Sequence, residues 1–242
     1  MCSRPLLMRP VWVVAMDALL VCDNAEEAAL LSFILNRAGA TCTCKSDLEK
    51  AIEAFPEKPA DLVVLSLRQG SPTTQVRRVR RDTEASLAVI SSTSDEDELC
   101  QALEAGADII LVRPYSARLL CMQLRALLRR SRAAMVTILP LLTVGQLVLD
   151  PSTRVVKVEG SPSRRLTPLE FRLLYTLMLH RGQTLPNEII VERVWGYSGE
   201  GSSVLVRGLI RRLRAKVERD PRHPQYITLV PGVGYRLDVP EE

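Results

Sequence analysis

Two hydrophobic rhythms divide the chain. Up to about residue 132, short apolar runs alternate with amphipathic stretches. The runs are Ala18–Cys22, Ala40–Cys44, Leu62–Leu67, Leu87–Ser91 and Ile109–Val112. The stretches, with helical spacing, are Ala25–Ala38, Asp47–Phe55, Thr73–Glu84, Asp95–Ala105 and Ser116–Arg132. Strands that are apolar on both faces and separated by helices predict a parallel sheet covered on both sides. Five such units make an α/β doubly wound five-stranded sheet. In such sheets sites form beyond the C-terminal strand ends, which here carry Cys22-Asp23-Asn24, Ser66, Ser91-Ser92-Thr93 and Arg113-Pro114.

Beyond a connector containing Pro140 the rhythm changes to short alternating segments. Leu142–Leu149, Val155–Glu159 and Arg164–Leu166 are separated by turns at Asp150-Pro151-Ser152 and Gly160-Ser161-Pro162. They predict a small antiparallel sheet. Thr167-Pro168-Leu169-Glu170 carries a helix-start signature: a Thr cap, Pro at the first position and Glu at the third. A second helix is expected near Asn187 and a third over Val204–Val217, after a Gly/Ser-rich loop at 196–203. Tyr226–Leu237 alternates around Pro231-Gly232-Val233-Gly234, as a hairpin would. The expected division is an extension over 1–16, a first domain over 17–132, a linker over 133–141 and an α+β domain over 142–240.

Charge sharpens this division. The net charge is only +4, but residues 1–135 hold 17 basic and 17 acidic side chains, and residues 136–242 hold 15 and 11. The whole excess lies in the second half, which is therefore the candidate for meeting a polyanion. No run of 18 apolar residues exists, so no transmembrane helix and no membrane partner are expected. All six cysteines precede residue 122 in a chain long enough to bury a core without staples. A reducing cytoplasm fits better than a disulfide scaffold. In the apolar stretch 1–16, Arg9 interrupts a signal-like core and no clear small-residue cleavage site follows. A loose extension before a start at Met16 and a docked extra element both remain open.

The third helix of the second half concentrates the charge. Val206, Ile210, Leu213 and Val217 form one buried stripe. At about 100° per residue the opposite face centres on Gly208, Arg211 and Ala215. Two small residues there let another surface approach the backbone. Arg207 and Arg214 flank that face on one side, Arg212 and Lys216 on the other. Such a face suits the major groove of double-stranded DNA, where guanidinium groups reach guanine edges or phosphates.

The motifs carry a family resemblance. Leu20-Val21-Cys22-Asp23-Asn24, the strand Asp61–Ser66, and Glu104-Ala105-Gly106-Ala107-Asp108 through Arg113-Pro114 resemble a response-regulator receiver domain. Leu166–Phe171, Val194-Trp195-Gly196-Tyr197, Ile210–Arg214 and Gly232-Val233-Gly234-Tyr235 resemble the winged-helix output domain of the OmpR/PhoB class. The resemblance implies that an ordinary receiver phosphorylates an Asp at the end of its third strand, with Mg²⁺ held by acids after the first. Here the acceptor position is Ser66, whose hydroxyl cannot form an acyl phosphate. The acid pair is reduced to Asp23 beside Cys22, the Lys position is Arg113, and the retained hydroxyl is Ser91 with Ser92 beside it. Ile110 stands at the switching-aromatic position. The expectation is a degenerate pocket of Cys22, Asp23, Ser66, Ser91 and Arg113 with no cofactor, no metal and no catalytic residue. Asp23 and Arg113 are expected to pair as a structural bridge, with a repurposed ligand pocket as the alternative. Pro114 is expected in cis.

The winged-helix resemblance implies that Arg212 contacts a base and that Arg207, Arg211 and Arg214 meet phosphates. Pro231 stands where the wing often has an Arg, and the 196–203 loop where the class can touch RNA polymerase. In the last receiver helix, Leu119 and Gln123 occupy positions that usually carry protomer-bridging charges, so an apolar homodimer contact is expected. The run Arg77-Arg78-x-Arg80-Arg81 reads as a solvated helix face. The functional expectation is a sequence-specific transcription regulator, no enzyme, acting as a dimer without aspartyl phosphorylation. The alternative is a ligand- or redox-responsive regulator using the receiver pocket or Cys22.

Overall fold

The computed structural model describes residues 16–53, 55, 59–136, 140–196 and 202–239, without side chains at 130–136 and 202. The stretch 1–15, the middle of the connector, most of the 196–203 loop and the last three residues lie outside these. The first half runs β1 (Met16–Cys22), α1 (Ala25–Ala38), β2 (Ala40–Lys45), α2 (Leu48–Glu53), β3 (Leu62–Ser66), α3 (Pro72–Arg80), β4 (Ser86–Ser91), α4 (Glu96–Ala105), β5 (Ile109–Val112) and α5 (Ala117–Val136). The second runs β6 (Leu142–Val144), β7 (Leu147–Asp150), β8 (Val155–Val158), β9 (Arg164–Arg165), α6 (Pro168–Leu179), β10 (Leu185–Pro186), α7 (Asn187–Val194), α8 (Ser202–Val217), β11 (Ile227–Val230) and β12 (Gly234–Leu237).

The first sheet is parallel, in the order β2-β1-β3-β4-β5. Alternation decides which helices cover which face. Ala18, Leu20, Leu62, Val64, Ala88 and Ile90 pack toward α1 and α5. Leu19, Val21, Val63, Leu65, Leu87 and Val89 pack toward α2, α3 and α4. Burying both faces is what makes these strands continuous apolar runs. Helix starts are set locally: the Asn24 side chain accepts from the Glu27 amide at 2.8 Å, and Asp95 from the Glu98 amide at 2.9 Å. Register places Cys22 opposite Ser66 and Ser91 opposite Val112, so the predicted pocket residues share one edge.

The second half has a four-stranded antiparallel sheet, β6-β7-β8-β9, three helices, and a three-stranded sheet, β10-β12-β11. The predicted Thr167 cap is present as a full capping box: Thr167 Oγ1 accepts from the Glu170 amide and Glu170 Oε2 accepts from the Thr167 amide. Three expectations shift. The first strand starts at Met16 rather than Ala18, because Met16 and Asp17 pair with Ala40 and Thr41. The stretch 142–149 folds back on itself at Gly145, which holds φ +57°. The last receiver helix continues to Val136, four residues into the predicted linker.

Candidate DNA-reading helix and receiver edge

The receiver edge is organised by Arg113, which follows β5 and precedes a cis peptide to Pro114. Its Nε and Nη2 donate to the two Glu27 carboxylate oxygens at 2.9 and 3.1 Å, a bidentate fork. Nη2 also donates to Ser66 Oγ at 2.6 Å, and Nη1 to the Ile90 carbonyl and Ser92 Oγ, both at 3.1 Å. Five contacts match the five N–H donors a guanidinium has. Tyr115 donates its hydroxyl to Glu27 at 3.0 Å.

The expected Asp23–Arg113 bridge is therefore corrected. Arg113 pairs with Glu27, placed on the first turn of α1 by the Asn24 cap, while Asp23 accepts from the Arg68 amide at 2.8 Å. Ser92, not Ser91, meets Arg113; Ser91 Oγ accepts from the Thr93 amide at 3.1 Å. Burial raises the Glu27 carboxyl, but hydrogen bonds from Arg113 and Tyr115 outweigh it, and the net shift is downward. Burial, then the bond to Glu27, pushes the Tyr115 phenol up to about 12. Burial also pushes up the Cys22 thiol, which disfavours the reactive thiolate. These donors do not fit Mg²⁺. That ion wants hard oxygens in near-octahedral array, and here the Arg113 cation, a thiol and a serine hydroxyl stand beside Asp23, whose carboxylate already accepts from the Arg68 amide. Among the described residues no group of three His, Cys, Asp or Glu side chains converges for a metal.

The second site is α8. Val206, Ile210, Leu213 and Val217 are buried as the stripe requires. α4 of the receiver covers the opposite face at Gly208, while Arg211 and Ala215 further along stay exposed. A Cβ added at Gly208 would lie 3.3 Å from Leu103 Cβ, so glycine sets how close the helices come. Arg211 pairs with Glu104. Arg212 donates to Asp108 Oδ1 at 3.2 Å and to the Gly106 carbonyl at 2.7 Å. Its side chain is only 9% exposed.

Asp108, fully buried, is the hub of this contact. Its Oδ2 accepts from Arg80 at 3.1 Å and from the Leu87 amide at 2.9 Å. Its backbone carbonyl accepts from Trp195 Nε1 at 3.0 Å. Arg80 also donates to the Gly106 carbonyl at 2.9 Å. The reading of Arg77–Arg81 as a solvated face thus fails at Arg80, which turns inward because a buried carboxylate and three carbonyls lie within its reach.

The remaining α8 cations are divided. Arg214 donates to the Ile227 carbonyl at 2.6 and 3.0 Å and lies over the Tyr235 ring, fixing the hairpin to the helix. Lys216 donates to Glu170 and to the Arg165 carbonyl, both at 2.8 Å, and lies 3.7 Å from Glu84. Arg207 is exposed and faces the groove toward the hairpin, beside Asn187 and Gly232. Sequence reasoning missed Glu27, Arg80, Glu84 and Trp195 as partners. It met Glu104 and Asp108 only as parts of a motif.

The family described as "Transcriptional regulatory protein, C terminal" matches residues 161–237. Over 225 residues the chain is 34% identical to the transcriptional regulatory protein AfsQ1 of Streptomyces coelicolor, covering 92% of this chain and 98% of that one. Over 224 residues it is 33% identical to the DNA-binding response regulator MtrA of Mycolicibacterium smegmatis, covering 92% and 96%. A cysteine-to-serine mutant of RitR has the same fold, with a TM-score of 0.73 at 24% identity over 92% of this chain and 99% of that one. Thus the chain belongs to the OmpR/PhoB class of response regulators, non-enzymatic DNA-binding transcription regulators that join a receiver to a winged helix.

Proposed function

We propose that this regulator acts without aspartyl phosphorylation, and that α8 reads DNA once it parts from α4. The observation that carries the first claim is Arg113. In place of a carboxylate awaiting a phosphoryl group, the edge holds Ser66, and the guanidinium beside it has every donor satisfied by Glu27, Ser66, Ser92 and Ile90. The same saturation, with the raised Cys22 thiol, weighs against the receiver pocket as a ligand or redox site.

The second claim rests on α8. The strip of small residues flanked by arginines is what a major-groove helix needs, and in this structure the receiver supplies the anions that DNA would. Arg212 remains the candidate base contact, with Arg207, Arg211 and Arg214 the phosphate contacts and Gly208 and Lys216 beside them. Leu119 and Met122 lie exposed on the outer face of α5 and suit an apolar contact with a second copy. The 196–203 loop is the candidate contact for RNA polymerase. A cytoplasmic location fits work on DNA. No helix among the described residues is long and apolar enough to cross a membrane.

Three outcomes follow. Incubation with acetyl phosphate and Mg²⁺ leaves the intact mass and the DNA affinity unchanged; an added phosphoryl group in the mass spectrum contradicts the first claim. The folded Glu27 carboxyl titrates below its ordinary value of 4.5, so its stabilisation is complete above that value and fades as pH falls through the folded value. Glu27→Gln should therefore lower the urea midpoint at neutral pH and flatten its decline in acid, and an unaltered pH profile would count against the pair. Finally, Arg212→Ala should relax preference at one base position by about 1–3 kcal/mol, while Arg207→Ala weakens all sequences alike and flattens the salt slope by about one. Binding assays on operator variants at several salt concentrations separate the two, and unchanged base preference in Arg212→Ala removes it from the base-reading role.

A further inference from the structure

Beside the α4–α8 contact the two halves leave a cleft of about 470 Å³. One wall is the receiver, through Asp61 and the α3–β4 connection from Arg80 to Ala85; the other is Arg154, Arg165 and Pro168. Arginines face it from both walls. Arg80 is spent on Asp108 and three carbonyls. The side chains of Arg81, Arg154 and Arg165 have no hydrogen bond or ion pair among the described residues. The carboxylates on the cleft are already engaged: Asp61 accepts from the Asp17 amide at 2.9 Å, Asp82 lies 3.4 Å from Arg78, and Glu84 lies 3.7 Å from Lys216.

Arg154 is the most telling of the three. It is half-buried, and burial, then the neighbouring Arg165, press its guanidinium toward the neutral form against the opposing pull of Glu84 and Asp61. Its backbone is left-handed, φ +57°, and it is the only non-glycine residue so held among those described. That conformation closes the β7–β8 turn, where the Arg154 carbonyl accepts from the Leu166 amide at 2.9 Å. A half-buried guanidinium with no hydrogen bond of its own gains favourable energy when an anion arrives. The cleft has the size of a small-molecule site, about 300–1,000 Å³, and Pro59, Ala60 and Pro168 give it apolar surface beside the cations.

We propose that this interdomain cleft binds a small phosphorylated anion of nucleotide size, held by Arg81 from the receiver and by Arg154 and Arg165 from the winged-helix half. A ligand gripped by both walls ties the halves together and keeps α8 on α4. This consequence rests on the reading that α8 must leave α4 to bind DNA.

Calorimetric titration of the full chain with ATP and, separately, with inorganic pyrophosphate tests the site without DNA. Saturable binding is expected, weakened at least about tenfold, or about 1.4 kcal/mol, in both Arg154→Asn and Arg81→Gln. Asparagine is chosen at 154 because it tolerates left-handed backbone, and thermal melts check that both variants fold. Tighter binding of ATP than pyrophosphate assigns a nucleotide; equal binding assigns the phosphates alone, and either supports the site. No saturable binding of either probe, or binding unaltered in both variants, overturns it. With the better probe at saturation, DNA affinity should fall several-fold in the wild type and hold in Arg154→Asn; an unaltered wild-type affinity overturns the coupling. Failure of DNA binding altogether would sink the function proposed for α8 while leaving the titration result intact.

Discussion

The buried carboxylate of Asp108 is the interaction on which the arrangement of the two halves depends. A carboxylate taken out of water is stable only when paired and hydrogen-bonded, and Asp108 is satisfied by one arginine from each half and by a backbone amide of β4. Arg80 comes from the receiver itself, so the charge remains paired when Arg212 leaves. Arg212 is the more exposed to loss: parted from Asp108 it needs another anion or water. DNA phosphates or base edges are a fitting exchange for the receiver's oxygens, since a guanidinium makes charge-assisted hydrogen bonds to either. The Trp195 indole bond to the Asp108 carbonyl and the close approach of Gly208 to Leu103 add to the same seam.

The receiver edge follows the same electrostatic logic to a different end. There a single guanidinium meets a carboxylate, two hydroxyls and a carbonyl, and nothing is left over for an incoming group. On the proposed reading, control has moved from the edge where receivers ordinarily take a phosphoryl group to the seam between the halves. Unpaired guanidinium groups lie beside that seam and none lies at Arg113.

Much of the architecture was legible from periodicity. Both faces of the sheet, the Thr167 capping box and the stripe on α8 follow from apolar spacing and short-range capping, which are local. The charged partners were not legible, because ion pairs join residues far apart in sequence: Glu27 with Arg113, Arg80 with Asp108, Arg212 with Asp108. Asp23 looked like the natural partner of Arg113 from its place after β1, yet the Arg68 amide claims it and the first turn of α1 brings Glu27 closer. Arg80 sits in a basic run, and only the third dimension shows that its position on α3 turns toward the α4–β5 connection. The Gly208–Ala215 strip did announce a close approach; which surface approaches is a tertiary fact.

On the proposed reading, the receiver and DNA compete for one face of α8. Glu104 lies at the edge of the seam, pairs with Arg211 and carries none of the buried network, so reversing its charge disturbs the contact and little else. Measurement of DNA affinity by the full chain, wild type against Glu104→Lys at matched salt, is the direct test. Competition for that face should give a several-fold tightening, the scale of losing one partly exposed ion pair, about 0–1 kcal/mol, and adding a repulsion of similar size. An affinity that is unchanged or weaker in Glu104→Lys would contradict it.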